Sequence, residues 1–328
     1  MDVIVVENLV KRYKELLAVN HISFSVEKYS IFGFLGPNGA GKTTTINILC
    51  TLTRPTSGKV YVNGYDCLLN PSDVRRSIGV VFQDTTLDND LTAFENLLFH
   101  AYLYKIKRDI AKDRIKNMLK FVGLYDRKDE QVKRFSGGMR RKLEVVRGLI
   151  HNPAVLFLDE PTLGLDPHSR ANLWDFIKNL PNREGTTIFM TTHYMDEAEV
   201  CDKIAIIDKG RIIAQGTPNE LKNMIGGDVV FFRTKDDVNH TKEKLKRMLN
   251  MEVLETNGEL SITIDHSEEI IPLLLKLIGD DLIYIRLQKP TLNDVFLRLT
   301  TKGRTEEISK EDIIKEEVRA IKRKFYGN

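Results

Sequence analysis

Residues 31–44 decide the fold, and they read Ile31-Phe32-Gly33-Phe34-Leu35-Gly36-Pro37-Asn38-Gly39-Ala40-Gly41-Lys42-Thr43-Thr44. A short apolar run typical of a buried strand enters a glycine-rich loop, and a helical pattern begins at Thr43. Glycines let backbone N–H groups approach phosphate oxygens, and the start of a helix adds its positive dipole end. The pattern therefore predicts a phosphate-binding Walker A loop, with Lys42 at the β- and γ-phosphates and the Thr43 hydroxyl on Mg²⁺.

A second apolar run ends in two acids. Val155–Leu158 is typical of a buried strand, and Asp159-Glu160 follows it directly. Ligands of α/β proteins bind at the carboxyl ends of the strands. We therefore expect Asp159 to hold Mg²⁺ through a water and Glu160 to polarise an attacking water. Taken alone, the pair could equally well cap the turn at Pro161, but the glycine-rich loop upstream favours the catalytic interpretation.

Short β-branched runs alternate with helical patterns over residues 1–225. Runs such as Ile78–Phe82, Thr187–Thr191 and Ile204–Ile207 are typical of buried parallel strands. Helical segments such as Gly137–Ile150 supply the crossovers between them. The sequence predicts an α/β domain with a mixed sheet, a parallel core and additional helices.

Over residues 226–300 the pattern changes to strand, helix, two strands, helix and strand. Asp228–Arg233 is the first of these strands, and Asn257-Gly258 between the two middle strands is a strong hairpin signal. This order predicts a small α+β domain of the ferredoxin-like type. Residues 301–328 are predicted to form a charged helical tail whose basic cluster, Lys322-Arg323-Lys324, is either a solvated face or a contact with anionic lipid.

Bulk composition is that of an ordinary globular protein. The chain has 328 residues, is 42% hydrophobic and 29% charged, and carries a net charge of +3, which neither requires nor excludes nucleic acid. The sparse cysteines favour a reducing compartment over a disulfide framework; they are Cys50, Cys67 and Cys201. The sequence has neither a signal-peptide pattern nor an apolar run long enough to span a bilayer, so any membrane association is expected to come through a partner.

A third motif separates the two phosphate-site motifs, and it reads Phe135-Ser136-Gly137-Gly138-Met139 followed by Arg140-Arg141-Lys142. A hydroxyl and unobstructed N–H groups at a helix start form an anion site. From Met1 to about Leu221 the sequence resembles the ATP-binding cassette (ABC) family, and this segment resembles its signature motif. The resemblance implies that two cassettes sandwich ATP, with Ser136, Gly137 and Gly138 facing the γ-phosphate held by the other subunit.

The same resemblance implies roles for single residues elsewhere. Tyr13 matches the aromatic that stacks on adenine, although an exposed surface tyrosine is the alternative. Gln83 matches the Q-loop glutamine near Mg²⁺ and the attacking water. Asp166 matches the D-loop acid that crosses the dimer, and His193 matches the switch histidine that senses the γ-phosphate. Met139 stands where glutamine is common, but no catalytic group is missing, so we predict an active ATPase.

The signature segment and Leu91–Leu97 resemble the daunorubicin-resistance type of exporter ATPase. Gln288–Thr300 resembles the end of the extra domain that these proteins often carry. The resemblance implies an energy-coupling subunit that dimerises on ATP, with itself or with a second cassette, and drives a separate multi-pass permease. Asp84–Phe99 would contain much of the docking surface. The subunit would lie at the cytoplasmic face of the membrane, and no nucleic-acid partner is expected.

Two alternatives come from other classes. A soluble ABC protein of the translation type usually carries two cassettes joined by a basic linker, and one of the DNA-repair type has a coiled coil inside its cassette. This sequence shows neither feature. A regulator that binds ATP without hydrolysing it is disfavoured by the presence of both Glu160 and His193. The sequence does not identify the transported substrate, because substrate selectivity resides mainly in the permease.

Overall fold

A computed structural model describes residues 1–224, 227–235, 238–249, 253–256, 259–264 and 267–300. The chain divides into two compact units, Met1–Pro218 and Asn219–Asn328. The domain boundary predicted at residues 225–226 and the tail predicted over 301–328 lie outside the described residues. In the described part of the chain, no helix is both long enough and apolar enough to cross a membrane.

The first unit contains ten strands. They are β1 (Asp2–Tyr13), β2 (Leu16–Glu27), β3 (Ile31–Leu35), β4 (Ser57–Val62), β5 (Tyr65–Asp66), β6 (Ile78–Val81), β7 (Val155–Asp159), β8 (Thr187–Thr192), β9 (Lys203–Asp208) and β10 (Arg211–Gly216). One sheet is antiparallel in the order β2-β1-β4-β5, and the other has the order β10-β9-β3-β8-β7-β6. In the six-stranded sheet only the pairing of β10 with β9 is antiparallel. The predicted mixed sheet with a parallel core is confirmed.

Helices connect these strands as crossovers and form a group of their own between β6 and β7. They are α1 (Lys42–Leu49), α2 (Pro71–Ser77), α3 (Ala93–Leu103), α4 (Arg108–Phe121), α5 (Gly137–Leu149), α6 (Pro167–Lys178), α7 (Leu180–Glu184), α8 (Met195–Ala198) and α9 (Pro218–Asn223). Local sequence explains where several of them begin. Thr92 and Glu95 form a capping box at the start of α3, and the Ser136 hydroxyl caps α5.

An aromatic cluster holds the two sheets of the first unit together. Phe24 of β2 stacks on Phe32 of β3 with ring centroids 5.6 Å apart, and Phe32 lies 5.5 Å from Phe189 of β8. Every residue of β3, β7 and β8 is buried, as expected for parallel strands covered on both faces. Their carboxyl ends lie side by side, since Leu35 pairs with Thr192 in the sheet. The loops that follow these strands are therefore neighbours.

The second unit has its own sheet and core. Its elements are β11 (Asp228–Thr234), α10 (Val238–Leu249), β12 (Leu254–Thr256), β13 (Glu259–Ile264), α11 (Ser267–Ile278), β14 (Leu282–Gln288) and a helix, α12, over residues 292–300. The sheet has the antiparallel order β12-β13-β11-β14. Val230, Phe232 and Ile262 lie in the core between sheet and helices. The predicted strand–helix order is confirmed, while the Asn257-Gly258 turn lies outside the described residues.

Candidate active site

The glycine-rich loop joins β3 to α1 and needs glycine at specific points. A Cβ on Gly36 would lie 2.3 Å from the carbonyl oxygen of Ile207, and one on Gly41 would lie 2.6 Å from that of Ala18. Gly41 also has φ 109°, a left-handed conformation that side chains avoid. Any larger residue would push the loop away from the strands beneath it. The start of α1 is thus held directly over the edge of the sheet.

Lys42 is the first residue of α1, and its ammonium bends back over the loop. Nζ donates to the carbonyl oxygens of Gly36 at 2.8 Å and Pro37 at 3.2 Å. It also lies 3.5 Å from Oε1 of Glu160. Burial lowers the pKa of Lys42, while the charges of Glu160 and Asp159 act in the opposite direction. The loop therefore carries a desolvated cation with two carboxylates close by.

Asp159 ends β7 and is buried. Its Oδ1 accepts a hydrogen bond of 2.5 Å from the Thr191 hydroxyl of β8. Burial raises the pKa of Asp159, whereas the Thr191 hydrogen bond and the charge of Lys42 oppose that rise. The neighbouring strand thus orients this carboxylate next to the glycine-rich loop.

Glu160 leaves the strand in a left-handed conformation, with φ 45°. Its N–H donates to the carbonyl and hydroxyl oxygens of Thr191 at 3.2 and 3.1 Å. The side chain points between two groups, with Oε1 3.5 Å from Nζ of Lys42 and Oε2 3.2 Å from Nδ1 of His193. The Glu160 carboxylate therefore lies close to two other predicted site residues, Lys42 and His193, which come from two other segments of the chain.

A cleft of about 750 Å³ opens over these groups. Ten predicted site residues line it: Tyr13, Asn38, Gly39, Gly41, Lys42, Thr43, Thr44, Gln83, Glu160 and His193. Tyr13 lies at the β1–β2 turn with 43% of its surface exposed, and Nζ of Lys11 is 4.6 Å from its ring centroid. The remaining loop residues, Gly36, Pro37 and Ala40, do not line the cleft. One concave site collects the groups that the sequence places far apart.

Ser136, Gly137, Gly138 and Asp166 do not line this cleft. Ser136 accepts a hydrogen bond from the N–H of Met139 at 3.3 Å, and Asp166 accepts one from the N–H of Ser169 at 3.0 Å. The hydrogen bonds from Ser169 lower the pKa of Asp166. A Cβ on Gly138 would lie 2.6 Å from the Ser169 hydroxyl, so the starts of α5 and α6 lie against each other. These residues form a second surface with exposed Ser136 and Asp166 side chains.

Arg141 and Glu144 contact the site but were not singled out from the sequence. Arg141 donates to the carbonyl oxygens of Asp159 and Glu160 at 3.0 and 3.2 Å, and it pairs with Glu144 at 3.1 Å. Opposite charges three residues apart usually indicate an exposed helix pair. The structure places both residues on the buried side of α5, with Leu143 and Val146 beside them.

The strand–loop–helix cradle, the buried lysine and the carboxylates at the sheet edge define the class of this protein, which is a P-loop nucleotide-binding protein. The ABC transporter family model matches residues 19–163. A second model, described as the C-terminal domain of DrrA1-3-like ATP-binding proteins, matches residues 216–300.

Named relatives match nearly the whole chain. The linearmycin resistance ATP-binding protein of Bacillus subtilis (strain 168) is 38% identical over 307 residues, which cover 91% of this chain and 98% of that protein. The daunorubicin/doxorubicin resistance ATP-binding protein of Streptomyces peucetius is 38% identical over 93% of this chain and 95% of its own length. The Nod factor export ATP-binding protein I of Burkholderia lata is 38% identical over 89% of this chain and 95% of its own length.

Solved structures agree on the fold. An ATP-binding subunit of an ABC transporter is 29% identical, with a TM-score of 0.61, over 68% of this chain and 93% of that one. A dimeric ATP-binding cassette in a post-hydrolysis state, bound to ADP and Pi, is 26% identical, with a TM-score of 0.59, over 65% of this chain and 98% of that one.

This chain belongs to the ABC transporter family of ATP-binding proteins. It is an ATPase that binds ATP and couples its hydrolysis to transport, and subunits of this kind dimerise and work with a separate membrane permease. The predicted fold class, ATPase activity and transport function are confirmed. The comparisons give no support to the translation- or repair-type alternative.

Proposed function

We propose that the chain is the ATP-hydrolysing subunit of an exporter, working at the cytoplasmic face of a membrane. The relatives named for drug resistance and for Nod factor export support the direction of transport. The observation that carries the assignment of catalytic groups is the position of Glu160, between Lys42 at 3.5 Å and His193 at 3.2 Å. Hydrolysis needs a carboxylate that positions the attacking water, and the place of Glu160 beside the lysine proposed to hold the γ-phosphate supports this role.

Each part of the cleft has a proposed task in binding ATP. The backbone of residues 36–44 and Lys42 hold the phosphates, and Tyr13 stacks on the adenine. The exposed ring of Tyr13, which lines the cleft, supports this task. Glu160 polarises the attacking water. His193, which lies beside Glu160, senses the γ-phosphate by contacting it.

Mg²⁺ fits the oxygen donors present. Thr43 and Gln83 line the cleft, and the Asp159 carboxylate is held beside it by Thr191. A hydroxyl, an amide oxygen and a carboxylate are the ligand types that Mg²⁺ prefers. When bound, the cation would neutralise charge that develops on the phosphates during transfer.

Two cassettes close head-to-tail in this proposal, either two copies of this chain or this chain and a second cassette. Ser136, Gly137 and Gly138 of one subunit complete the phosphate site of the other, and Asp166 crosses beside them. Their absence from the cleft of their own chain supports an action across an interface. The start of α5 supplies an anion site there because its first N–H groups point outward.

The permease docks on the segment Asp84–Phe99 in this proposal, and α3 supplies much of the surface. Phe99 at the end of this segment exposes 60% of its surface, and Tyr102 and Leu103, one turn further along α3, extend the apolar surface with 47% and 63% exposed. The proposed domains are a cassette over residues 1–225, an accessory domain over 226–300 and a tail over 301–328.

Replacing the carboxylate of Glu160 tests the assignment. Glu160→Gln keeps the shape of the side chain but removes its charge, so we expect hydrolysis to fall by about 10²-fold or more. ATP binding should persist, and Mg²⁺-ATP should be trapped in a closed dimer, seen as nucleotide that stays with the protein through gel filtration. Glu27→Gln, an exposed acid outside the cleft, is the matched control and should behave like the wild type. Undiminished hydrolysis by Glu160→Gln would show that another group is the base.

A further inference from the structure

Arg141 lies in the second turn of α5 with only 7% of its surface exposed. Its guanidinium group donates to four backbone carbonyl oxygens: Phe82 at 2.6 Å, Pro161 at 2.6 Å, Asp159 at 3.0 Å and Glu160 at 3.2 Å. Phe82 lies in the loop that follows β6, whereas the other three carbonyls lie at the end of β7 and in the loop that follows it. A single side chain on α5 therefore ties the two segments together.

Both loops carry residues of the cleft. Phe82 immediately precedes Gln83, and its carbonyl is held 2.6 Å from Nη1 of Arg141. Glu160 has the left-handed φ of 45°, its N–H bonds to Thr191, and its carbonyl bonds to Arg141. Because a left-handed conformation persists only where the surroundings impose it, the Arg141 bond helps to fix the direction of the Glu160 carboxylate.

Glu144, one turn further along α5, completes the arrangement. Its Oε2 lies 3.1 Å from Nη1 of Arg141, and its Oε1 accepts from the N–H of Thr86 at 2.7 Å. Arg147 on the same helix donates to the carbonyl oxygen of Thr86 at 2.8 Å. One helix therefore holds the loop after β6 at both ends, at Phe82 and at Thr86, with Gln83 between them.

We propose that Arg141, oriented by Glu144, is a positioning residue for ATP hydrolysis. It fixes the positions of Gln83 and Glu160 relative to the start of α5. Ser136 lies at that start, five residues before Arg141. When ATP bound to a second subunit contacts Ser136 through its γ-phosphate, any displacement of α5 shifts both loops, because the Arg141 guanidinium group is bonded to both. This inference rests on the proposed roles of Gln83, Glu160 and Ser136.

The chemistry requires arginine at this position. A guanidinium group has five N–H donors in a rigid plane and can reach carbonyls on two loops at once. Lysine has the same charge, but its three donors sit on a single nitrogen, so it cannot span both loops. Arg141→Lys therefore removes the connection while it keeps a cation beside Glu144.

The test compares hydrolysis with ATP binding in the full-length chain. For Arg141→Lys we expect kcat to fall about 10- to 100-fold, because small misplacements of catalytic groups have effects of this size. ATP affinity, measured by titration calorimetry without Mg²⁺ so that neither hydrolysis nor the proposed Mg²⁺ ligands contribute, should change less than about threefold, since the groups that Arg141 contacts are not those of the glycine-rich loop. A purely structural role would lower the melting temperature without separating kcat from affinity.

Arg114→Lys is the matched control. Arg114 on α4 also anchors α5, because its Nη2 donates to the carbonyl oxygen of Leu149 at 3.0 Å and to Asn152 Oδ1 at 2.7 Å, but it contacts neither loop. Its replacement should lower the melting temperature and leave kcat per folded molecule unchanged. If Arg114→Lys and Arg141→Lys reduce kcat equally, the proposal is overturned.

Glu144→Gln provides a milder second variant. It keeps an acceptor for the N–H of Thr86 and loses the charge that orients Arg141, so kcat should fall about three- to tenfold with ATP affinity unchanged. If Arg141→Lys does not fold, the Glu144→Gln variant alone tests the proposal, and wild-type kcat in Glu144→Gln overturns it.

Glu160→Gln distinguishes failure of this inference from failure of the proposed role of Glu160. If it is inactive while Arg141→Lys has wild-type kcat, only this inference fails, whereas full activity of Glu160→Gln removes the proposed role of Glu160 on which the inference rests.

Discussion

Glu160 shows how a single residue depends on its neighbours. Its φ of 45° is a conformation that destabilises a residue with a side chain by about 1 kcal/mol or more. Thr191 holds its N–H and Arg141 holds its carbonyl, so β8 and α5 together impose the conformation. The carboxylate is thereby turned towards Lys42 and His193. Site geometry at this scale comes from backbone contacts made by residues far away in the sequence.

His100 provides a residue-scale prediction on pH. Burial, together with the charges of Arg147 and His151, lowers the pKa of His100 to about 4. The pKa of histidine in an unfolded chain is about 6.5, so between these values the unfolded chain binds a proton that the folded chain does not. Stability is therefore lost as the pH falls from 6.5 towards 4, by about 1–2 kcal/mol at pH 5 from this residue alone.

His100→Phe keeps an aromatic ring beside Tyr104, whose ring lies 5.1 Å away. Urea unfolding at pH 7.5 and pH 5 should show a smaller difference in free energy for this variant than for the wild type. His168→Gln, which changes an exposed histidine on α6, should retain the wild-type difference. Equal pH dependence in His100→Phe and in the wild type would contradict the prediction.

At the scale of elements, the starts of two helices have different uses. α3 begins with a capping box in which Thr92 and Glu95 satisfy each other's backbone N–H groups. α5 begins with one hydroxyl cap, the exposed Ser136, and Gly138 two residues later lies against the start of α6. The first cap serves the stability of its helix, whereas the second also presents a surface proposed to meet the phosphates of another subunit.

Paired cap substitutions separate these two uses. Thr92→Ala and Ser136→Ala should each lower the free energy of unfolding by about 1 kcal/mol, because each removes a cap. Only Ser136→Ala should also weaken the ATP-closed dimer, measured as the nucleotide that each variant retains through gel filtration in the Glu160→Gln background. The idea that Ser136 acts across an interface would be wrong if both variants retained Mg²⁺-ATP equally well.

At the scale of the whole molecule, two units have separate cores. The first contains the entire cleft, and the second has a core of its own around Val230 and Phe232. Nucleotide binding should therefore be a property of the first unit alone. For the second domain, the hypothesis to be tested is that it helps to hold two subunits together when ATP is absent, and the alternative is that its last helix only packs onto its own small sheet.

Truncation after residue 225 tests that expectation. The shortened chain should bind ATP with an affinity within about threefold of the wild type, a small difference in free energy. Without nucleotide, light scattering should give the monomer mass for the shortened chain and the dimer mass for the full chain. Truncation after residue 300, which removes only the tail, is the control and should leave the dimer intact. An unchanged oligomeric state in the shorter chain would contradict the role given to the second domain.

Much of this protein is determined by local sequence. The glycine loop, the apolar strand ending in Asp159-Glu160 and the helix after Ser136 can be read directly, because short-range backbone sterics, strand burial and helix capping act within a few residues. The order of strands and helices in the second unit is also a local matter of periodicity.

Other features were decided only when the chain folded. The contact of Glu160 with His193, the hydrogen bond from Thr191 to Asp159 and the bonds from Arg141 to two loops join residues 18 to 59 positions apart in the sequence. Arg141 and Glu144 resemble an exposed ion pair in the sequence, yet 7% and 2% of their surfaces remain exposed because α5 packs on the edge of the sheet. No local pattern specifies which carbonyls will surround a buried guanidinium group, since those partners come from loops whose meeting point depends on the register of the parallel strands.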